Sequence, residues 1–154
     1  VLFLEELIVS KRMRNVLNQN RFKVTFNENF RAVITTCQRI KRNNQNGTWI
    51  TNEMIEAYCE LNKLGHAKSV EVWQNKELVG GLYGVDLKTV FCGESMFSLV
   101  SNASKVAFIT LVKQLKSKDY QVLDCQMYTK HLESLGCRKI DRIEFIKLLK
   151  KQSF

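Results

Sequence analysis

Between Thr89 and Tyr128 the sequence changes its apolar period twice, and this constrains the fold more than any other feature. Residues 89–92 read as a short strand. From Ser101 or Asn102 to Ser117 the apolar residues Ala103, Val106, Ala107, Ile109, Leu111, Val112 and Leu115 recur at helical spacing. Residues 121–128 then read as strand again. A strand–helix–strand unit predicts a right-handed crossover, with strand 121–128 lying parallel beside strand 89–92. Ligands in such sheets gather where neighbouring strands diverge. The adjoining ends should therefore bring Glu94 together with Asp124 and Gln126 in one cleft.

The remaining elements fit around that unit. Residues 22–26 alternate apolar and polar, as a strand does, and Phe30, Val33, Ile34 and Cys37 form a helical stripe within 28–40. Residues 41–48 read as a loop. Thr51 is placed to cap a helix that runs to Gly65. Strands follow at 69–74 and 77–86, with turns at 74–76 and 86–88. Gly80 and Gly81 interrupt the second strand, as at a bulge or a close backbone approach. A short helical turn at 130–135 ends at Gly136, and 141–151 forms a basic terminal helix. The pattern is α+β, a mixed β-sheet flanked by helices. At 154 residues it suits one domain, with residues 1–48 a basic helical and strand segment leading into it. The chain opens on Val1 rather than Met, so a piece of a longer protein is expected.

Charge is unevenly spread. Residues 1–48 hold nine Lys/Arg against three Glu, whereas 49–154 hold fifteen against twelve acids. The excess around Lys11, Arg12, Arg14, Arg21, Lys23, Arg39, Lys41 and Arg42 points to a phosphate-rich partner. No apolar run approaches the roughly 18 residues of a membrane helix, and no signal peptide is evident. The five cysteines are widely spaced, with no Cys-x-x-Cys and no histidine at ligand spacing. They read as buried free thiols in a reducing cytosol, and no metal site is expected.

Chemistry concentrates in three places. On a strand 121–128, Asp124 and Gln126 would share one face and Cys125 the other. A carboxylate and an amide on an otherwise apolar strand need partners, and together they are candidates for positioning a substrate amine or for a buried structural pair. Gly93-Glu94-Ser95-Met96-Phe97 is the second segment and Gly47-Thr48-Trp49-Ile50-Thr51 the third. Trp49 reads either as a stacking platform or as a core residue, Trp73 as core. His66 and His131 have no partner in sequence reach, and Ser95 and Ser98 no evident base.

Taken together, Gly47–Thr51, Glu56-Ala57-Tyr58, Leu64-Gly65-His66-Ala67, Ser69–Trp73, Leu78–Val85, Phe91–Ser98, Asn102–Lys105, Leu123-Asp124-Cys125-Gln126 and His131–Gly136 resemble the leucyl/phenylalanyl-tRNA–protein transferase family. Order and spacing agree over roughly residues 5–145. The resemblance implies a GNAT-like (acetyltransferase-like) catalytic domain. It implies transfer of Leu or Phe, and Met more weakly, from aminoacyl-tRNA to the N-terminal Arg or Lys of a protein. That would tag the protein for degradation by the bacterial N-degron route, in the cytoplasm, with neither acyl-CoA nor metal. It further implies that Trp49 stacks on the 3′-terminal adenosine and that Phe91, Met96, Phe97 and Phe108 line a pocket for the Leu or Phe side chain. Asp124 would polarise the Gln126 amide toward the attacking amine, and Glu94 with Asp124 would meet the cationic acceptor residue. Family members usually carry a further N-terminal region, rich in Pro and Trp, ahead of the segment corresponding to Val1. This sequence opens without it, and its basic residues after Ser10 are spaced differently.

Two other functions stand beside that one. A non-catalytic tRNA- or RNA-binding module is allowed by the basic first third, but leaves Glu94, Asp124 and Gln126 without a role. An acyl-CoA-dependent N-acetyltransferase rests on fold alone, and the usual glycine-rich phosphate loop of such enzymes is missing.

Overall fold

A computed structural model describes residues 1–40 and 47–150. Most of the expected loop at 41–48, with Lys41 and Arg42, and the end of the terminal helix at Lys151 lie outside the described residues. Six strands form one sheet: β1 (Leu2–Phe3), β2 (Lys23–Phe26), β3 (Ala67–Gln74), β4 (Glu77–Asp86), β5 (Val90–Ser98) and β6 (Val122–Asp124), in the order β1-β6-β5-β4-β3-β2. The helices are α1 (Lys11–Asn18), α2 (Phe30–Arg39), α3 (Asn52–Lys63), α4 (Ala103–Lys116), α5 (Lys130–Glu133) and α6 (Arg142–Lys150). Every neighbouring pair of strands is antiparallel except β5 and β6, which run parallel with Val90 opposite Val122 and Cys92 opposite Asp124. The mixed sheet and its parallel crossover are those the periodicity predicts. No helix among the described residues is long and apolar enough to cross a membrane.

Helices cover both faces, so the central strands are buried on both sides. On one face Phe30, Val33, Ile34 and Cys37 of α2 pack with Ile55 and Cys59 of α3 against Ala67, Tyr83 and Phe97. Those four α2 positions are the i, i+3, i+4, i+7 stripe of an amphipathic helix. Asn29 begins α2 by accepting from the Ala32 N–H, and Thr51 begins α3 by accepting from Met54. On the other face α4 buries Ala103, Val106, Phe108, Ile109, Leu111 and Leu115 among others, because the sheet lies beneath it and Leu4 and Met13 of the N-terminal segment join the same core. Gly80 lets α4 come this close: a Cβ there would sit 2.6 Å from Ala103 Cβ. The bulge expected near Gly80 falls one residue earlier, at Val79, where the β3–β4 register shifts between Val72/Gly80 and Trp73/Leu78.

Other expectations need correction. Trp73, read as core, is half-buried, and its indole N–H donates to Thr25 Oγ1 at 2.8 Å. The strand expected at 89–92 runs on to Ser98 as β5. The strand expected at 121–128 stops at Asp124. Its outer neighbour is β1, two residues that nothing in the sequence marks as a strand. Of the cysteines, Cys37, Cys59 and Cys137 are buried, while Cys92 and Cys125 are only half-buried.

Candidate active site

Two local irregularities open the site, both near the point where β5 and β6 pair for the last time. In β5 the register against β4 changes from Gly84/Gly93 to Tyr83/Ser95, so Glu94 is an inserted residue, a β-bulge. A bulge re-aims the side chains around it. Before it Phe91 packs into the α4-side core, and after it Met96 does so, while Phe97 joins the α2–α3 core. The run Phe91–Phe97 therefore cannot line one pocket together.

In β6 the ladder ends because Asp124 turns the chain. Its Oδ1 accepts the Gln126 backbone N–H at 3.0 Å, an aspartate turn that competes with continued pairing. Gln126 sits in the left-handed region at φ +58°. The two side chains are thus not successive residues on one strand face. Asp124 holds the Gln126 backbone rather than its side-chain amide, and the amide Nε2 instead donates to Glu94 Oε1 at 3.0 Å. The three residues do meet, in the cleft where the strands diverge, through a different set of bonds.

Below this cluster lies an apolar cavity of about 260 Å³, lined by Met96, Phe108, Leu82, Leu111, Leu123 and Leu132 among others, with Glu94, Asp124 and Gln126 also on its wall. It is smaller than a drug-sized ligand site and suits a single side chain. Met96 and Phe108 are where the resemblance implies. Phe91 and Phe97 do not line it: both are buried, on opposite faces of the sheet, for the reason the bulge supplies. A wider hollow of about 630 Å³ shares Asp124, Gln126 and Met127 and continues past Tyr128 to Lys139 and Arg142. The two hollows meet at the Asp124–Met127 turn.

Tyr58 of α3 belongs to the same cleft and was not nominated from the sequence. Its hydroxyl is pushed up to about 12, first by burial and then by the charge of Glu94 and a hydrogen bond to it. Its ring stands edge-on to Tyr83, which lines the cavity, at 5.4 Å. The Cys92 thiol is pushed up to about 11, by burial and then by Asp124 and Glu94, so both carboxylates act on one small region. The signal for Tyr58 lay in the stripe Ile55, Tyr58 and Leu61, which marks the inward face of the helix; that Tyr58 reaches Glu94 comes from the packing of α3 against the sheet.

Trp49 is 43% exposed, so it is not a core tryptophan. Its neighbour Ile50 is buried and held at both backbone groups, its N–H donating to Thr48 Oγ1 and its carbonyl accepting from Gln38. The anchored Ile50 leaves the Trp49 ring at the surface. Lys11, Arg12 and Arg14 are exposed on α1 and Arg21 is exposed just beyond it; none of the four has a carboxylate partner among the described residues. Three of these cations occupy the first turn of α1, which holds no acid. Cations at a helix N-terminus oppose its dipole by about 0.3–1 kcal/mol each, a cost that a bound anion would offset. Among the described residues no group of three or more His, Cys, Asp or Glu is gathered in a way that could hold a metal ion.

The family profile and the curated relatives point to one family. The profile of the leucyl/phenylalanyl-tRNA protein transferase family matches residues 1–150. A leucyl/phenylalanyl-tRNA–protein transferase of Flavobacterium johnsoniae is 67% identical over 152 residues, 99% of this chain and 72% of that protein. One from Flavobacterium psychrophilum is 66% identical over 151 residues, again covering 72% of the relative. Among solved structures, an aminoglycoside N-acetyltransferase in complex with CoA superposes with a TM-score of 0.57 at 11% identity, over 79% of this chain and 90% of that one. That likeness shows a GNAT-like fold and carries no donor with it.

Proposed function

The chain belongs to the leucyl/phenylalanyl-tRNA protein transferase family, and from that premise we propose that it moves a leucyl or phenylalanyl group from tRNA to the N-terminal Arg or Lys of an acceptor protein. Residues 1–154 act in this as one GNAT-like catalytic domain. The observation that carries the reading is the Gln126–Glu94 hydrogen bond at 3.0 Å, with Asp124 fixing the Gln126 backbone, at the edge of an apolar cavity the size of one side chain.

The reaction is ester aminolysis. The acceptor's α-amine attacks the aminoacyl carbonyl, a C–N bond forms, the bond to the terminal ribose oxygen breaks, and that oxygen leaves with a proton. The ester is already activated, and an α-amine titrates near pH 8, so placement supplies much of the catalysis. The amide nitrogen of Gln126 is committed to Glu94, which leaves its carbonyl to accept an N–H from the attacking amine and draw it into line. Glu94 and Asp124 supply negative charge to the guanidinium or ammonium of the acceptor residue. The cavity beneath, bounded by Met96 and Phe108, takes the aminoacyl side chain. Met is adaptable in shape, which suits both a branched and a planar guest, with methionyl a weaker third. The wider hollow gives the acceptor chain an approach to Gln126.

On the donor side, the exposed Trp49 stacks on the terminal adenosine, while Lys11, Arg12, Arg14 and Arg21 meet tRNA phosphates. The reading needs no acyl-CoA. It carries with it a cytoplasmic location, where charged tRNA is found, and a role in marking proteins for degradation.

Replacing Trp49 with Ala weakens binding of an aminoacyl-adenosine mimic by about 1–3 kcal/mol, the worth of one base stacked on an aromatic ring. A fluorescence titration reads this directly, and equal affinities for wild type and variant would remove Trp49 from the donor site. In the transfer assay itself, peptides beginning with Arg or Lys are modified and those beginning with Ala or Glu are not; equal rates on all four would contradict an acid-lined acceptor site.

A further inference from the structure

Cys125 and Cys137 are twelve residues apart in sequence, yet their sulfurs lie 3.3 Å apart. Cys125 stands between Asp124 and Gln126 on the wall of the apolar cavity, and Cys137 lies on the wall of the wider hollow, 6% exposed. Gly136 brings them together. It ends the α5 segment at φ +101°, and a Cβ there would fall 2.2 Å from the Glu6 carbonyl, so the chain turns sharply under the N-terminal segment and delivers Cys137 beneath the Asp124–Gln126 turn. The sulfurs are in contact but unbonded.

We propose that Cys125 and Cys137 form a thiol pair that a small peroxide converts to a disulfide, and that this modification switches off aminoacyl transfer. The effect on transfer rests on the functional reading above; the cross-link itself does not. The geometry is supported by the electrostatics of the pair. The two sulfurs share one hydrogen bond that either can donate; that bond holds Cys137 below the usual thiol range, while the same bond and burial push Cys125 up. In the proposed pair Cys137 is assigned as the attacking sulfur and Cys125 as the resolving thiol.

In the first step the Cys137 thiolate attacks one oxygen of hydrogen peroxide. An S–O bond forms, the O–O bond breaks, and hydroxide leaves to become water, giving a sulfenic acid. In the second step the Cys125 sulfur attacks the sulfenic sulfur, the S–S bond forms, the S–O bond breaks, and the Cys125 proton leaves with the departing hydroxide as a second water. Two thiols and one peroxide become one disulfide and two waters, the sulfurs losing the two electrons that the peroxide gains. Bonding requires the sulfurs to close from 3.3 Å to about 2.05 Å. Cys125 lies between Asp124 and Gln126, so any backbone shift of Cys125 that helps close this gap displaces both of them. A misplacement of about 1 Å at a positioned group costs up to about a hundredfold in rate.

The test treats the protein with hydrogen peroxide, maps its peptides by mass spectrometry without reduction, and measures transfer before and after dithiothreitol. A Cys125–Cys137 cross-linked peptide, a loss of transfer of about ten- to hundredfold, and recovery on reduction are expected. Cys137→Ala, and separately Cys137→Ser, each measured against its own untreated rate, show no loss at the same peroxide dose. Absence of the cross-linked peptide overturns the proposal, as does an equal, dithiothreitol-reversible loss in wild type and in whichever Cys137 variant folds. The peptide map reads the cross-link whether or not the protein transfers, so failure of the functional reading and failure of this one give different results.

Discussion

Gln126→Ala lowers transfer by about 10²–10⁴-fold, the usual worth of a positioned proton-handling group, while the affinity for charged tRNA and the melting temperature stay close to wild type. Gln126 is exposed and its side chain holds no core packing, so its removal costs little stability. Glu94→Gln slows transfer as well. Because Glu94 orients the Gln126 amide through one hydrogen bond, the double variant loses little more than the worse single one, as groups acting as a unit do. Asp124 separates two roles. Asp124→Asn keeps an oxygen that accepts the Gln126 N–H and removes only charge, whereas Asp124→Ala also releases the turn; the Ala variant should be the slower. Single-turnover kinetics beside thermal melts check this. An active Gln126→Ala enzyme would remove the cluster from catalysis, and a Gln126→Ala protein that is slow only in proportion to its unfolded fraction would make the cluster structural.

Glu71→Ala should produce the largest loss of stability among single substitutions away from the cleft, about 2–5 kcal/mol. Glu71 of β3 is fully buried. Its Oε2 accepts from the Thr25 hydroxyl at 2.7 Å, its Oε1 accepts from the Ser69 hydroxyl at 2.5 Å, and longer bonds reach the backbone N–H groups of Glu28 and Asn29 at the start of α2. One carboxylate therefore joins β2, β3 and α2, and through Thr25 it also supports the Trp73 indole. Removing it leaves buried donors without partners and a void, each costing on the order of 1–3 kcal/mol. That is a large part of the 5–15 kcal/mol that typically holds a domain folded. Glu71→Gln keeps the volume and one strong acceptor, and the Thr25 and Ser69 hydroxyls can turn to meet its amide, so its loss should be about half as large. Urea unfolding of both variants decides the matter; an unchanged midpoint for Glu71→Ala would show that the network contributes nothing.

Much of the architecture was legible because it rests on period. The α2 stripe, the Thr51 cap, the β3–β4 hairpin and the parallel crossover from β5 to β6 all follow from apolar spacing and turn residues that act locally. The crossover in turn predicts the cleft, and Glu94, Asp124 and Gln126 do meet there. What could not be read is where the regular pattern breaks. Asp124 ends β6 because its side chain outcompetes the ladder for the Gln126 N–H, and that competition is invisible in a run that alternates through Met127. The bulge at Glu94 is one added residue with no mark in composition, yet it puts Phe91 and Phe97, six residues apart, on opposite faces of the sheet and brings Met96 rather than Phe97 onto the face of Phe91. The Cys125–Cys137 contact and the Tyr58–Glu94 contact arise from packing between distant segments, where spacing carries no information. Trp49 was open between core and surface until Ile50, not Trp49, proved to be the anchor.

The identity of the donor is decisive, since the fold alone is shared with an acetyltransferase solved in complex with CoA. The most direct measurement incubates the protein with leucyl-tRNA and a peptide beginning with Arg, and in parallel with acetyl-CoA and the same peptide, and weighs the products. A peptide extended by one leucyl residue at its N-terminus is expected in the first tube and an unchanged peptide in the second. An acetylated peptide from acetyl-CoA, with no leucyl product from leucyl-tRNA, would contradict the proposed transfer.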